Sequence, residues 1–268
     1  MVYWSYFEFA NLPTLTKMTK MFSEDEGDKE WYIQDITIVE ERFMVASDWG
    51  SDCLRCFDLD IVSQSAQMSF QRRINGGDGC LGIVYSDNKL IVSYDDPHGK
   101  VQVLDMDGDI LKVFEKNDNG EQLFTKPWGL AVSPDNSTIY VSDRVMGTVT
   151  ALSQDGRVLS VLKNHDNLRY PTGATIDNAG RMYVCSMWTK TVCMVSQETG
   201  TVTKLLGEEN GLSYPTSIAH FPVSYGNVFL PNRTQSKLKD VVEFLHNLVT
   251  SVRFRLKIVV LELMAAEH

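Results

Sequence analysis

One pattern returns five times along this 268-residue chain. A glycine or its stand-in opens a short apolar strand, a second apolar strand ends in Asp, Asn or Ser, and a third begins five or six residues later. The opening positions, Asp35, Gly82, Gly129, Gly173 and Ser217, lie 47, 47, 44 and 44 residues apart. The clearest copies read Pro127-Trp128-Gly129-Leu130, Pro171-Thr172-Gly173-Ala174 and Pro215-Thr216-Ser217-Ile218. Second strands end at Asp48, Asp95, Asp143, Ser186 and Asn232, and third strands take their first apolar residue at Leu54, Val101, Val149, Val192 and Leu238. A fixed period of this kind constrains the fold more than composition does, because each unit has to bury its faces against near-copies of itself.

Hairpin turns follow at Asp107-Gly108, Asp155-Gly156 and Thr199-Gly200, where glycine tolerates positive φ and lets two strands reverse. A fourth strand completes each unit, for example Val158 to Leu162. Four short strands every 40 to 50 residues predict the blades of an all-β propeller. Glycine near the start of the innermost strand suits close backbone approach at a crowded axis. The alternation of Thr148-Val149-Thr150-Ala151-Leu152 fits a strand with one face more buried than the other.

At Pro127-Trp128-Gly129-Leu130-Ala131-Val132, Ile139-Tyr140-Val141-Ser142-Asp143 and Asp155-Gly156, the chain resembles the NHL-repeat propellers, in particular the C-terminal domain of tripartite-motif (TRIM) proteins. Blades 1 and 2 match more loosely, with Asp35 where glycine is usual and no proline before Gly82. The resemblance covers residues 31–238 and implies an NHL-type β-propeller of four-stranded blades.

The length would serve an uninterrupted six-bladed ring at 44 residues per blade, but only about five units are present, so an incomplete six-bladed ring is expected. A propeller short of a blade has strand edges to protect. Residues 1–30 form an N-terminal segment in which residues 14–22 alternate like the outer strand of a preceding blade. Residues 239–268 form a divergent tail. From Val252 to Val260 it alternates as a strand that could pair with an open blade edge, or the segment is foreign to the domain; Val241, Val242, Leu245 and Leu248 also recur at helical spacing.

The N-terminus has no basic n-region and carries Glu8 inside its apolar stretch, and no run of about 20 apolar residues occurs, so neither a signal peptide nor a membrane helix is expected. Cys53, Cys56, Cys80, Cys185 and Cys193 are odd in number and fall mostly in strands, which fits a reducing, cytoplasmic setting. Cys53-Leu54-Arg55-Cys56 has no second ligand pair, and strand geometry turns its two thiols to opposite faces, so packing is expected in place of zinc or redox use. Asp105-Met106-Asp107-Gly108-Asp109 begins like a calcium loop but has glycine at position 4 and Lys116 at position 12, and reads as a charged hairpin turn.

The TRIM resemblance implies a non-catalytic platform that recruits a protein partner on the propeller's loop face, without the RING and B-box modules of a ubiquitin ligase. The residues placed in those loops are Trp49, His98, Arg144, Met146, Trp188 and Arg233, with Tyr170 and Tyr214 entering blades 4 and 5. Aromatic and Arg side chains are the usual anchors of interfaces. The other role for Trp49 and Trp188 is packing over neighbouring blades. Single-stranded RNA binding is the family's other use of this face, but the loops balance acids against bases and the chain carries a net charge of −10. The rival class is a metal-dependent hydrolase or lyase, since six-bladed relatives include such enzymes. The inner positions offer one acid, Asp35, with His220 a lone candidate on the fifth inner strand, so no catalysis, metal or cofactor is expected.

Overall fold

The computed structural model describes residues 33–221, apart from short breaks at 40–42, 52, 63–64, 78, 96–97, 164–165, 211 and 213, together with Tyr3–Trp4 and Ile258–Glu262. Strand β1 is Tyr3–Trp4. Blade 1 comprises β2 (Ile33–Val39), β3 (Phe43–Asp48), β4 (Cys53–Val62) and β5 (Ser65–Asn75). Blade 2 comprises β6 (Cys80–Ser86), β7 (Lys89–Tyr94), β8 (Lys100–Leu104) and β9 (Ile110–Phe114). Blade 3 comprises β10 (Pro127–Val132), β11 (Thr138–Asp143), β12 (Thr148–Ser153) and β13 (Val158–Lys163). Blade 4 comprises β14 (Pro171–Ile176), β15 (Met182–Ser186), β16 (Thr191–Val195) and β17 (Val202–Leu206). Each blade is a four-stranded antiparallel meander, and β18 (Ser217–Phe221) begins a fifth unit. Four blades are therefore complete among the described residues, and the second strand expected to end at Asn232 lies outside them.

The inner strands β2, β6, β10, β14 and β18 stand side by side in that order. A Cβ on Gly82 would collide with the Trp128 carbonyl oxygen of the next blade, and one on Gly129 with the Thr172 carbonyl oxygen. This is the physical reason for glycine at the repeat's opening position. The inner strands of blades 1 to 4 also carry a register irregularity there, between Ile33 and Asp35, Cys80 and Ile83, Pro127 and Leu130, and Pro171 and Ala174.

In blades 1 to 3 a serine on the second strand ties one blade to the next. Ser93 accepts from the Gly82 amide at 2.9 Å and donates to the Trp128 carbonyl at 2.7 Å. Ser142 accepts from the Gly129 amide at 2.9 Å and donates to the Thr172 carbonyl, and Ser47 accepts from the Asp35 amide at 3.1 Å and donates to the Leu81 carbonyl. In blade 4 the position is Cys185, whose thiol lies 3.6 Å from the Ser217 carbonyl, and the Gly173 amide turns to the Thr216 carbonyl.

Apolar side chains collect between blades, so the core is a series of slabs. Val39, Leu54, Ile83 and Val92 pack between blades 1 and 2; Ile91, Val103, Leu130 and Val141 between blades 2 and 3; Tyr140, Val149, Ala174 and Val184 between blades 3 and 4; Tyr183, Val192 and Ile218 beyond blade 4. Both faces of a blade are covered, which corrects the expectation of one more buried face for β12: Thr148 and Thr150 are as buried as Val149 and Ala151. The outer hairpins turn at Gly108, Gly156 and Gly200 with φ of 97°, 91° and 69°, as the sequence predicted. Asp105 caps the first of them, its carboxylate accepting from the Asp107, Gly108 and Asp109 amides.

At the open side, β19 (Ile258–Glu262) pairs parallel with β18 and antiparallel with β1. Of the alternating tail, only the part from Ile258 onward is described. Residues 14–22, the helical spacing at 241–248 and Arg233 lie outside the described residues. Cys53 and Cys56 sit in β4, the first buried and the second half-buried, and the five cysteines remain thiols. No helix among the described residues is long and apolar enough to cross a membrane.

Candidate functional site

The ends of the second strands and the loops that enter each blade share one rim of the propeller. Register defines equivalent positions there. Ile33 pairs with Asp48, Cys80 with Tyr94, Pro127 with Asp143 and Pro171 with Ser186. Tyr94, not Asp95, is thus the counterpart of Asp48, Asp143 and Ser186, a correction of one residue to the sequence alignment. The residues just beyond these ends are also equivalent: the Asp95, Arg144 and Met187 amides donate to the Gly79, Lys126 and Tyr170 carbonyls, each of which precedes an inner strand.

The strand-end acids have structural duties. Asp143 accepts from the Thr125, Lys126, Val145 and Met146 amides at 2.6, 3.0, 3.0 and 2.9 Å, pinning both rim loops of blade 3. Ser186 does similar work on Arg169. Asp48 is fully buried against the equally buried Arg55, with Nε donating to Oδ2 at 2.7 Å.

Asp95 stands one residue further on and faces the neighbouring blade. Its Oδ2 accepts from Arg144 Nη2 at 2.9 Å and lies 3.4 Å from Lys126 Nζ. The Arg144 guanidinium carbon lies 4.4 Å from the centre of the Trp128 ring and 5.7 Å from that of Tyr170. Such placement over a ring face is favourable for a cation. Its Nε is buried without a hydrogen-bond partner. Tyr170 in turn stacks on Trp188, with ring centres 5.0 Å apart and planes 1° from parallel. One cationic and aromatic column therefore runs from blade 2 to blade 4.

Of the residues singled out from sequence, Arg144, Tyr170 and Trp188 are brought together in that column. Trp188 is 61% exposed and Trp49 49% exposed, so both present ring surface to solvent. They are not equivalent: Trp49 follows its strand end directly, whereas Trp188 stands one place later. Tyr214 is exposed beside Lys190, whose Nζ is 5.1 Å from its ring centre. His98 and Met146 are exposed beside the rim loops, the Met146 amide donating to Asp143 Oδ1 at 2.9 Å. Tyr170 and Tyr214 adopt φ of 62° and 50°, an uncommon region for bulky residues. Asp95, Lys126 and Trp128 were missed as site residues. The signal for Trp128 and Lys126 was their place beside Pro127 in the best-formed repeat; Asp95 was hidden because its one-residue offset shows only in the strand register.

One acid lies inside the rim. Asp35 is the third residue of β2, two places in from the rim, and is half-buried. Its Oδ2 accepts from the Ile83 amide of blade 2 at 3.1 Å and its Oδ1 from the Ile36 amide at 3.0 Å. Burial pushes its carboxyl up to about 7, against the opposing pull of those two amides. His220 sits on β18 in register with Leu261. Among the described residues no three His, Cys, Asp or Glu side chains converge as metal ligands.

Four-stranded antiparallel meanders set edge to edge along their inner strands, with a rim of loops at one end, define a β-propeller. The family model described as lactonase, 7-bladed beta-propeller, matches residues 36–218, and the chain belongs to that family. Of the solved structures, a protein of unknown function from Bacteroides caccae is 12% identical with a TM-score of 0.50, over 68% of this chain and 63% of that one. The glutaminyl cyclase of Myxococcus xanthus is 14% identical with a TM-score of 0.43, over 57% of this chain and 66% of that one. The chain thus spans just under two thirds of the length of either. No curated protein matches.

Family membership overturns the expectation of a non-catalytic chain, since the matching family is one of lactonases. It is also seven-bladed, where period and length had pointed to a six-bladed ring. Of the NHL and TRIM resemblance, the propeller is the part the comparisons support. Repeats report on packing between blades and carry little information about chemistry, which is why kinship to the lactonase family was not legible in them.

Proposed function

We propose that the chain is a hydrolase that opens cyclic esters, binding them at the rim formed by Asp95, Lys126, Trp128, Arg144, Tyr170 and Trp188. The observation that carries this reading is Arg144, held over the Trp128 ring at 4.4 Å and beside Asp95 with its Nε left without a partner. Two cations meet one carboxylate there, a local positive excess on a chain of net charge −10. Such a site suits a ring compound bearing a carboxylate, which Arg can grip with a planar fork while the aromatic column packs against the ring. The thiol state of all five cysteines fits a reducing compartment.

The reading is tested by following acid release from δ-valerolactone and from a γ-lactone carrying a free carboxylate. The wild-type chain should open both and prefer the carboxylated ring. Arg144→Ala should raise KM for the carboxylated ring by about 10-fold or more, the scale of a lost charged hydrogen bond, and leave KM for δ-valerolactone nearly unchanged. Absence of ring opening by the wild-type chain would refute the reading.

A further inference from the structure

We propose a second anion subsite at Lys190 and Tyr214, one blade further round the rim, which takes the distal acid group of an extended ligand whose first acid Arg144 holds. That this ligand is the substrate rests on the ring-opening reading above, which the inference deepens. The repeat builds the same device twice. Tyr170 precedes Pro171 at the entry to blade 4, and Tyr214 precedes Pro215 at the entry to blade 5. Both tyrosines hold positive φ, and each carries near its ring a cation from the second-to-third-strand loop of the blade before, Arg144 at 5.7 Å and Lys190 at 5.1 Å. Lys190 itself turns at φ 54°, its amide donating to the Met187 carbonyl at 3.3 Å, so both sides of the contact use an uncommon backbone shape.

The two cations differ in how freely a ligand can take them. Arg144 is mostly buried and bound to the mostly buried Asp95, whereas the ion-pair partner of Lys190 is Glu208, 64% exposed. An exposed pair of this kind contributes little, so an incoming carboxylate replaces Glu208 at small cost. Tyr214 and Trp188 are both exposed and lend open ring surface. Trp188 stacks on Tyr170 and stands two residues before Lys190 in the same loop, so it joins the two devices. Neighbouring sheets pack about 10 Å apart, too far for one small ring to span, so a ligand that uses both cations is elongated, with its middle on Trp188.

The experiment compares three ligands on the full chain: the ring-carboxylated γ-lactone, the same lactone with a second carboxylate at the end of an extended alkyl chain, and a non-hydrolysable dicarboxylate of that length whose binding is read by quenching of tryptophan fluorescence. The wild type should show a KM about 10-fold lower for the extended diacid lactone than for the monoacid, the scale of one charged hydrogen bond. Lys190→Gln should erase that preference with the monoacid KM unchanged, and Lys190→Arg should keep it. Equal KM values in the wild type, or a preference that survives Lys190→Gln, would overturn the subsite and leave the ring-opening reading standing. If the wild type opens no ring, that reading falls and the dicarboxylate decides. Binding weakened about 10-fold by Lys190→Gln supports the subsite, and absent or equal binding overturns it.

Discussion

Asp95 and Arg144 occupy the same place in consecutive blades, and their side chains meet 2.9 Å apart across the boundary between them. Only 10% of the Asp95 side chain and 20% of that of Arg144 reach solvent, so the pair is weakly screened. A double-mutant cycle with Asp95→Ala and Arg144→Ala, read by urea unfolding, should give a coupling of about 1–2 kcal/mol, between the exposed and fully buried limits. Coupling near zero would separate the two residues energetically despite their contact.

Trp188 is anchored on one side by Tyr170 and open on the other. Trp188→Ala should keep the far-UV spectrum of the propeller, cost about 0.5–1.5 kcal/mol, and remove the near-UV dichroism of the coupled rings. Unfolding instead would make Trp188 a packing residue and take away the rim's aromatic face.

Gly129→Ala should cost about 1–3 kcal/mol or more, because the new methyl group would strike the Thr172 carbonyl of the next blade and the backbone cannot yield easily. Gly120→Ala is the control. That position faces open space at φ +81°, so only the backbone penalty of about 1 kcal/mol is expected. Equal melting temperatures for the two variants would contradict the blade-contact account.

Asp35 also sets a pH dependence of stability. Its carboxyl titrates near 4 in the unfolded chain and at about 7 in the folded one, so the folded state holds the proton more tightly. The resulting stabilisation is complete below pH about 4, declines as the pH rises, and is gone above about 7. Asp35→Asn cannot ionise, so its melting temperature relative to wild type should climb between pH 4 and 8. A constant difference across that range would contradict the raised proton affinity.

Much of the architecture was readable from the repeat. The glycines at 82, 129 and 173 mark the inner strands because their neighbours in the next blade leave no room for a Cβ. The outer turns were readable because Gly108, Gly156 and Gly200 take a backbone shape that other residues resist. The buried Asp48–Arg55 pair was not, since an acid ending one strand and a base within the next look in sequence like ordinary surface charges. Of the site, Arg144, Tyr170 and Trp188 stood out as loop residues, but nothing in their spacing said they form one column with Trp128. Kinship to the lactonase family came from the family match and not from any catalytic motif.

The chain's sequence by itself determined a ring-like stacking of four-stranded units, because a period of 44 to 47 residues recurs with the same local turn and strand signals. Local signals are enough where each unit repeats its neighbour. Only the tertiary structure decided which rim residues meet, because a one-residue offset at Tyr94 turns Asp95 from a loop cap into the partner of Arg144 in the next blade, 49 residues away. It alone also decided that Asp35 is buried enough to hold its proton near neutral pH, since that depends on how closely blade 2 closes over blade 1.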